Sequence, residues 1–530
     1  MTRFTIHSLL QKNSTERALG LCVLLSCLLL SAWLAGGTVL LTRQLWMDEV
    51  HSWLLVTDPQ PTHALQALRD GVDFNPPTWF MMTGWLSGFS DAPAELHLRL
   101  LSLFWMLLAV VGTYVFLTRR FSASVSAIAS ILVMCHPLLI HQSTEIRFYG
   151  FWCACIVWTC VAMIWSPKHR LTRWGQFLIV AALSAMVCTS HYFGILSLSL
   201  IWLATISSVL LQKTPIRSRA TLLALTSMAA GAGSLLLCIP ILIGQRSALT
   251  RSTWISPATL TDTAMFLQTM YPVWPVALCG LAALFSRAAK YAKTRNAPHS
   301  EDRPSLTQSV VDGSDESHML PFAAMAAMPI VIALVAWCLQ PALVTRYAIV
   351  GTFGMAPMFA LLLERCSGRI LSGIAMVSVA TLMSTIHHCA AQWKADMEAR
   401  DQLVQELRKC PEDAILISEN RIAWMPVLHH YPEFSSRFFL ADFETDQLTQ
   451  DSSLRIVQRD VGRKIQTWYP QYEMRSIDSL ASESQFYTVP YAGGTSHDLR
   501  YPLTHNADQT SSRIFHFTRV PAVLEARHEK

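Results

Sequence analysis

The apolar positions of this chain fall into long unbroken runs and not into the one-sided stripes of a soluble helix. The runs recur between about residues 18 and 388. Each approaches the ~20 residues that carry a helix across a hydrocarbon core of ~30 Å. The pattern predicts eleven spans, at 18–41, 98–117, 123–141, 149–166, 174–190, 193–211, 220–243, 271–286, 319–339, 346–363 and 370–388. Beyond residue 388 the runs stop and charge becomes frequent. Strand-like segments follow at 414–418, 454–457, 485–489 and 513–517, behind a helix-like segment over 394–409. That mixture predicts a small α/β or α+β domain. The chain therefore reads as an all-α polytopic membrane body over 1–388 and a soluble domain over 389–530.

Composition agrees. Hydrophobic residues make up 52% and charged residues 15%, with a mean hydropathy of +0.33; an ordinary soluble domain carries about 25% charge. The net charge of +5 comes without a basic run or interleaved aromatic and basic residues, so the sequence gives no nucleic-acid signal. Of the thirteen cysteines most lie in apolar runs, among them Cys22, Cys27, Cys153, Cys155 and Cys160, where they act as small hydrophobes. No C-x-x-C pair supports zinc or redox chemistry. Cys389 and Cys410 both follow the last span, and their pairing stays open. The apolar run after the basic N-terminal tail is longer than a signal-peptide core of roughly 7–15 residues, and reads as a retained first span.

Charge then orients the spans. Alternate connections hold Arg119 and Arg120, then Lys168, Arg170 and Arg173, then Lys213, Arg217 and Arg219, then Arg287, Lys290, Lys293 and Arg295, then Arg365 and Arg369. The intervening connections hold fewer: Arg43, Arg69, Arg99, Arg147, Arg246, Arg251 and Arg346. The positive-inside rule places the N-terminus in the cytoplasm and the C-terminal domain outside. The polar linker 287–318 is then cytoplasmic, with the composition of a disordered segment.

Candidate chemistry gathers in the outer connections. The first, 42–98, places Asp48 and Glu49 side by side at the end of a span, where charge near hydrocarbon asks for a reason. On a helix the two diverge by about 100°, so one can face a cavity while the other holds structure or faces a metal. A solvated helix end is the plainer alternative. Further on, Asn75-Pro76-Pro77 suits a helix start, and 76–89, with Trp79 and Trp85, reads as a helix in the interface. Between spans three and four, Glu145 and Tyr149 would share a helix face while Arg147 points elsewhere, either to pair with Glu145 or to meet an anionic head group. His191 and Tyr192 form a tight turn, and Arg346 precedes Tyr347 at the start of a span, placed to snorkel or to bind phosphate.

Taken in order, Asp48-Glu49, Asn75-Pro76-Pro77-Thr78-Trp79-Phe80, Arg99-Leu100-Leu101-Ser102, Glu145-Ile146-Arg147-Phe148-Tyr149, His191-Tyr192 and Arg346-Tyr347 resemble the GT-C membrane glycosyltransferases, in particular bacterial relatives of protein O-mannosyltransferases and of the aminoarabinose transferase of lipid A. The resemblance covers about the first 360 residues. It implies a bacterial plasma-membrane enzyme moving a hexosyl or pentosyl group from a polyprenyl-phosphate donor to a lipid, glycan or protein acceptor. It also implies Asp48 as the catalytic acidic residue, Glu49 as its neighbour, Arg147, Arg246, Arg346 and Tyr347 as candidates for the donor phosphate, and Glu145, Tyr149, His191 and Tyr192 as cavity residues. Some relatives place a divalent cation near the site, so magnesium or manganese at Asp48 stays open.

The chemistry suits these residue types. A hydroxyl or amine acceptor is a poor nucleophile until it loses a proton, and a positioned carboxylate can take it. The leaving lipid phosphate is already anionic and needs cations, which arginine supplies as a fork of donors. A transporter or lipid flippase is the alternative, with ionisable residues near the midplane; a non-catalytic scaffold would leave the Asp-Glu pair without a role.

Overall fold

The computed structural model describes residues 2–89, 94–165, 169–211, 218–248, 258–295, 319–339, 343–418, 421–442, 453–476, 486–489 and 518–520. Among these, seven helices are long and apolar enough to cross a membrane, and two bent helix pairs bring the number to nine. Two shorter apolar helices, Tyr149–Ile164 and Gly194–Leu210, lie where the other two expected spans fall. The chain is a multi-pass membrane protein, and its described apolar helices coincide one for one with the runs read from the sequence.

The differences from straight spans have local causes. The first helix, Thr2–Leu34, stops at a turn where Gly36 takes φ +79°, and a short helix Thr38–Thr42 completes the run. A side chain there would be strained. The third span is broken by 80° between Ala123–Met134 and Pro137–Ser143. His136, pushed to extended backbone by the proline after it, accepts the Leu138 N–H through Nδ1 at 3.2 Å. This bend delivers residues 144–148 to the end of the bundle that carries the first long connection. That connection holds three helices, Met47–Val56, Pro61–Arg69 and Thr78–Ser87; the last is the helix expected over 76–89.

A single 42-residue helix, Gly368–Lys409, leads out of the membrane body. The boundary drawn at residue 388 falls inside it. Cys389 and Cys410 stand at its middle and its end, ~30 Å apart at 1.5 Å per residue, which rules out their pairing. The α/β domain follows. Strands β1 (Ile415–Ser418), β2 (Phe438–Asp442), β3 (Met474–Ser476), β4 (Phe486–Val489) and β5 (Thr518–Val520) form one sheet in the order β3-β2-β1-β4-β5. β1, β2, β3 and β4 pair in parallel and β5 runs antiparallel on β4. The crossovers are the helices Arg421–His430 and Ser453–Trp468. The strand expected at 454–457 is therefore helix. The run at 513–517 lies outside the described residues, as do 296–318 of the linker, whose first residues continue the Val273–Arg295 helix.

Packing inside the body leaves no room at some glycines. A Cβ on Gly354 would stand 2.1 Å from the backbone nitrogen of Ala326, whereas one on Gly368 would meet nothing within 4 Å. Gly354→Ala is therefore expected to destabilise the body by about 1–3 kcal/mol, read as a lower melting temperature in detergent. Gly368→Ala should leave melting close to wild type.

Candidate functional site

Both acids of the Asp48-Glu49 pair lie in the opening turn of the Met47–Val56 helix, at its positive dipole end. Their side chains go to different places. Glu49 is fully buried. It accepts hydrogen bonds from Arg43 at 2.5 and 3.1 Å, from Arg99 at 3.3 and 3.4 Å, from the Ile146 N–H at 2.9 Å and from the Trp46 N–H at 3.3 Å. Burial alone would raise its pKa. Arg43 and Arg99 outweigh burial and hold the carboxyl down to about 2. Arg43 in turn lies 3.7 Å over the ring of Trp393, and Arg99 donates to the carbonyls of Leu41 and Arg43.

Asp48 turns the other way. Its Oδ2 pairs with Arg346 Nη1 at 3.0 Å, each side chain 13% exposed. Arg346 rides on a short 3-10 turn, Thr345–Ala348. Beside this pair, Arg147 Nη1 donates to Asp73 Oδ2 at 2.6 Å, to Ser52 Oγ at 3.0 Å and to the Asp48 carbonyl at 3.2 Å. Asn75 donates to the other Asp73 oxygen at 2.5 Å. Two ion pairs thus stand next to each other, joined through the backbone of Asp48.

The remaining candidates surround them. His191 stacks on Trp152 at 4.6 Å and lies 5.3 Å from the Tyr347 ring. Burial first, then Arg147 and Arg346, draws its pKa down to about 3, so it is neutral at physiological pH. Tyr149 is buried, and both it and Tyr347 lie within electrostatic reach of Arg346. Glu145 is fully buried, and its charge reaches Arg43 and Arg346. The helix face that Glu145 was expected to share with Tyr149 does not form, because the helix starts at Tyr149. Tyr192 donates to Gln245 at 2.7 Å; Gln245 itself donates to the carbonyls of Leu68, Asp73 and Asn75, fixing the loop around Asp73 in place. Arg246, the next residue, is exposed and turned away from this group.

Several participants were not singled out by sequence. Asp73 lies next to a motif that was, but nothing in the pattern pairs it with Arg147. Arg43 read as an ordinary span-end charge, and Arg99, though part of the Arg99-Leu100-Leu101-Ser102 motif, was given no role. The C-terminal domain also contributes. Its Arg421–His430 helix lies along the Met47–Val56 helix, with His51 Nε2 3.0 Å from Met425 Sδ and the His429 ring 4.5 Å from Trp53. His429 Nε2 is 3.1 Å from Glu95, and His430 Nε2 accepts the Leu45 N–H at 2.7 Å. Arg421, at the start of this helix, is 5% exposed, and its charge is felt at Asp48, Asp73 and His51.

A divalent cation at Asp48 would stand among Arg346, Arg147 and Arg421, so the surroundings do not fit one. Glu95, His429 and His430 do bring ligating atoms within 4.8 Å of one another. The Nε2 lone pair of His430 is, however, committed to Leu45, and the trio serves as a hydrogen-bonded seam.

No family model matches the chain, and no curated protein is similar to it in sequence. Solved structures are similar in fold. ArnT from Cupriavidus metallidurans in the apo state superposes with a TM-score of 0.55 at 11% identity, covering 87% of this chain and 92% of that one. The structure of ArnT from the same organism bound to undecaprenyl phosphate gives 0.53 at 12% identity, covering 96% and 98%. The chain has the GT-C fold. Superposition over nearly the full length of ArnT means that the GT-C resemblance, read over the first 360 residues, extends in fold through the C-terminal domain.

The two acids make separable predictions. Glu49→Gln leaves buried arginines without their counter-ion and is expected to cost about 3–5 kcal/mol of stability, read by thermal melting. Asp48→Asn should melt within a few degrees of wild type. Since the Glu49 pKa is depressed from 4.5 to about 2, its contribution is present above pH 4.5 and is lost as pH falls toward 2. Acid unfolding should begin at higher pH in Glu49→Gln than in wild type.

Proposed function

We propose that the protein is a glycosyltransferase of the non-cytoplasmic face of a bacterial plasma membrane, moving a sugar from a polyprenyl-phosphate donor to an acceptor hydroxyl or amine. The observation that carries this reading is the arrangement of Asp48 against Arg346 with Arg147 at its back, in a fold shared with a protein whose structure holds undecaprenyl phosphate.

The donor phosphate is drawn to the arginines, Arg346 first, with Arg147 behind it and Tyr347 as a hydrogen-bond donor. Phosphate and Asp48 compete for the same guanidinium. Binding of the lipid therefore loosens Asp48 from Arg346 and leaves its carboxylate to accept a proton. The acceptor loses that proton to Asp48 as its oxygen or nitrogen attacks the anomeric carbon. The bond from that carbon to the phosphate oxygen breaks, and the lipid phosphate departs as an anion on Arg346. Glu49 takes no part in the proton transfer; it holds the helix that presents Asp48. A base and a cation on opposite sides of the anomeric carbon suit a single inverting displacement. The charged groups gather at helix ends on one face of the bundle, which favours this reading over transport.

The test is transfer from a radiolabelled polyprenyl-phosphate sugar to envelope extracts by purified protein, with products identified by mass spectrometry. Asp48→Asn is expected to lower transfer about 100-fold or more at near-normal stability, as loss of a general base does. Full activity in that variant would remove Asp48 from the mechanism. The product should have the anomeric configuration opposite to the donor's by NMR; retention would overturn the single displacement.

A further inference from the structure

Four of the arginines around the Met47–Val56 helix hold a carboxylate at close range: Arg43 and Arg99 on Glu49, Arg147 on Asp73 and Arg346 on Asp48. Arg421 differs. It comes from the soluble domain, is 5% exposed, and its Nε and Nη1 are buried with no hydrogen-bond partner. Burying an arginine without acceptors is costly, and buried polar groups in folded proteins are with few exceptions bonded. Asp48 and Asp73, whose charges are felt at Arg421, are already paired with Arg346 and Arg147, and, with Glu49 and Glu145 counted, these five arginines face four carboxylates among the described residues. The excess charge lies where two domains meet, at the first turn of a ten-residue helix.

We infer that Arg421 is a phosphate-binding residue contributed by the soluble domain, and that a phosphate-bearing ligand between Arg421 and Arg346 latches this domain onto the membrane body. The rest of this helix meets the body without a ligand: Met425 on His51, His429 on Glu95 and Trp53, and His430 on Leu45. These contacts run from the middle to the C-terminal end of the Arg421–His430 helix, and among the described residues of that helix Arg421 at its N-terminal end is the one with buried polar atoms left unpartnered. An anion there gains the fork of Arg421 and the positive end of the helix dipole together. The inference rests on the lipid-phosphate reading for the tail of the ligand, but not for its charge.

Hydrogen exchange of the full-length protein in lipid nanodiscs tests it, with undecaprenyl phosphate, undecaprenol and inorganic phosphate as probes. Undecaprenyl phosphate is expected to slow exchange over residues 421–430, and undecaprenol is not. Arg421→Gln should bind undecaprenyl phosphate about tenfold more weakly, as loss of a charge-assisted hydrogen bond does, and lose that protection. Arg421→Lys keeps the charge without the fork and should fall between the two; it carries the same comparison if Arg421→Gln does not fold. Wild-type affinity and protection in both variants would overturn the role of Arg421 while leaving the donor reading intact. If the lipid fails to bind but millimolar inorganic phosphate protects 421–430 in wild type and not in the variants, the donor reading falls and Arg421 stands. Protection by neither probe overturns both.

Discussion

Glu49 is enclosed by Arg43, Arg99 and the backbone amides of Trp46 and Ile146, and those groups come from three separate stretches of chain. The end of the first span, the start of the second, the loop at 144–148 and the Met47–Val56 helix all meet at this one carboxylate. Ion pairs in a buried setting return little net stability against hydrophobic packing of the same volume, yet breaking one is expensive. The arrangement is therefore better understood as a device for position than for stability. It fixes the angle at which the Met47–Val56 helix leaves the membrane body, and so decides where Asp48 points.

The neighbouring carboxylate owes its availability to that arrangement. Two adjacent acids on a helix cannot enter the same cluster, and Glu49 has taken the inner one. Asp48 is left with Arg346, both partly exposed, at a pairing that an incoming anion can contest. The backbone of Asp48 is meanwhile tied to Arg147, which is tied to Asp73, which is held through the Gln245 hydrogen bonds to the carbonyls around it. The ion pair of the side chain is open to competition from another anion, while the main chain beneath it is held. That combination suits the proposed proton acceptor, whose geometry would be set before the substrate arrives.

How much of this was legible in the sequence depends on the range over which each feature is encoded. The spans were, because hydropathy accumulates along a local window. Their bends were not read, although Pro137 and Gly36 stand where the third and first spans break. The segment at 454–457 alternates like a strand over four residues, but Val461, Ile465 and Trp468 extend it at helical spacing, and the longer window decides. The run Phe438-Phe439-Leu440-Ala441 was not among the expected strands. It lies between β1 and β3 and is buried on both faces, where continuous apolar sequence is the rule. In the site, the divergence of Asp48 from Glu49 followed from helix geometry alone. Their partners did not, since Arg147 lies 74 residues from Asp73 and Arg346 further still from Asp48. No local pattern distinguishes an arginine that pairs from one that snorkels, which is why Arg246, exposed beside buried Gln245, was read as equal to Arg346.

The soluble domain enters the same logic from outside. Arg400, on the long helix that joins it to the body, donates to Gln44 and to the Leu45 carbonyl, and His430 accepts from the Leu45 amide. The residues just before the acidic pair are thus gripped from the domain side while Glu49 grips the helix from the membrane side. A fold that needed only to anchor a domain could have done so with apolar contacts. Retaining buried guanidinium groups on both sides of Asp48 instead keeps a positive potential beside it in a poorly solvated place, and such a potential attracts an anion. In the proposed reaction the phosphodiester donor carries one negative charge and the phosphomonoester it releases carries more, so this potential would stabilise the leaving group above the bound donor.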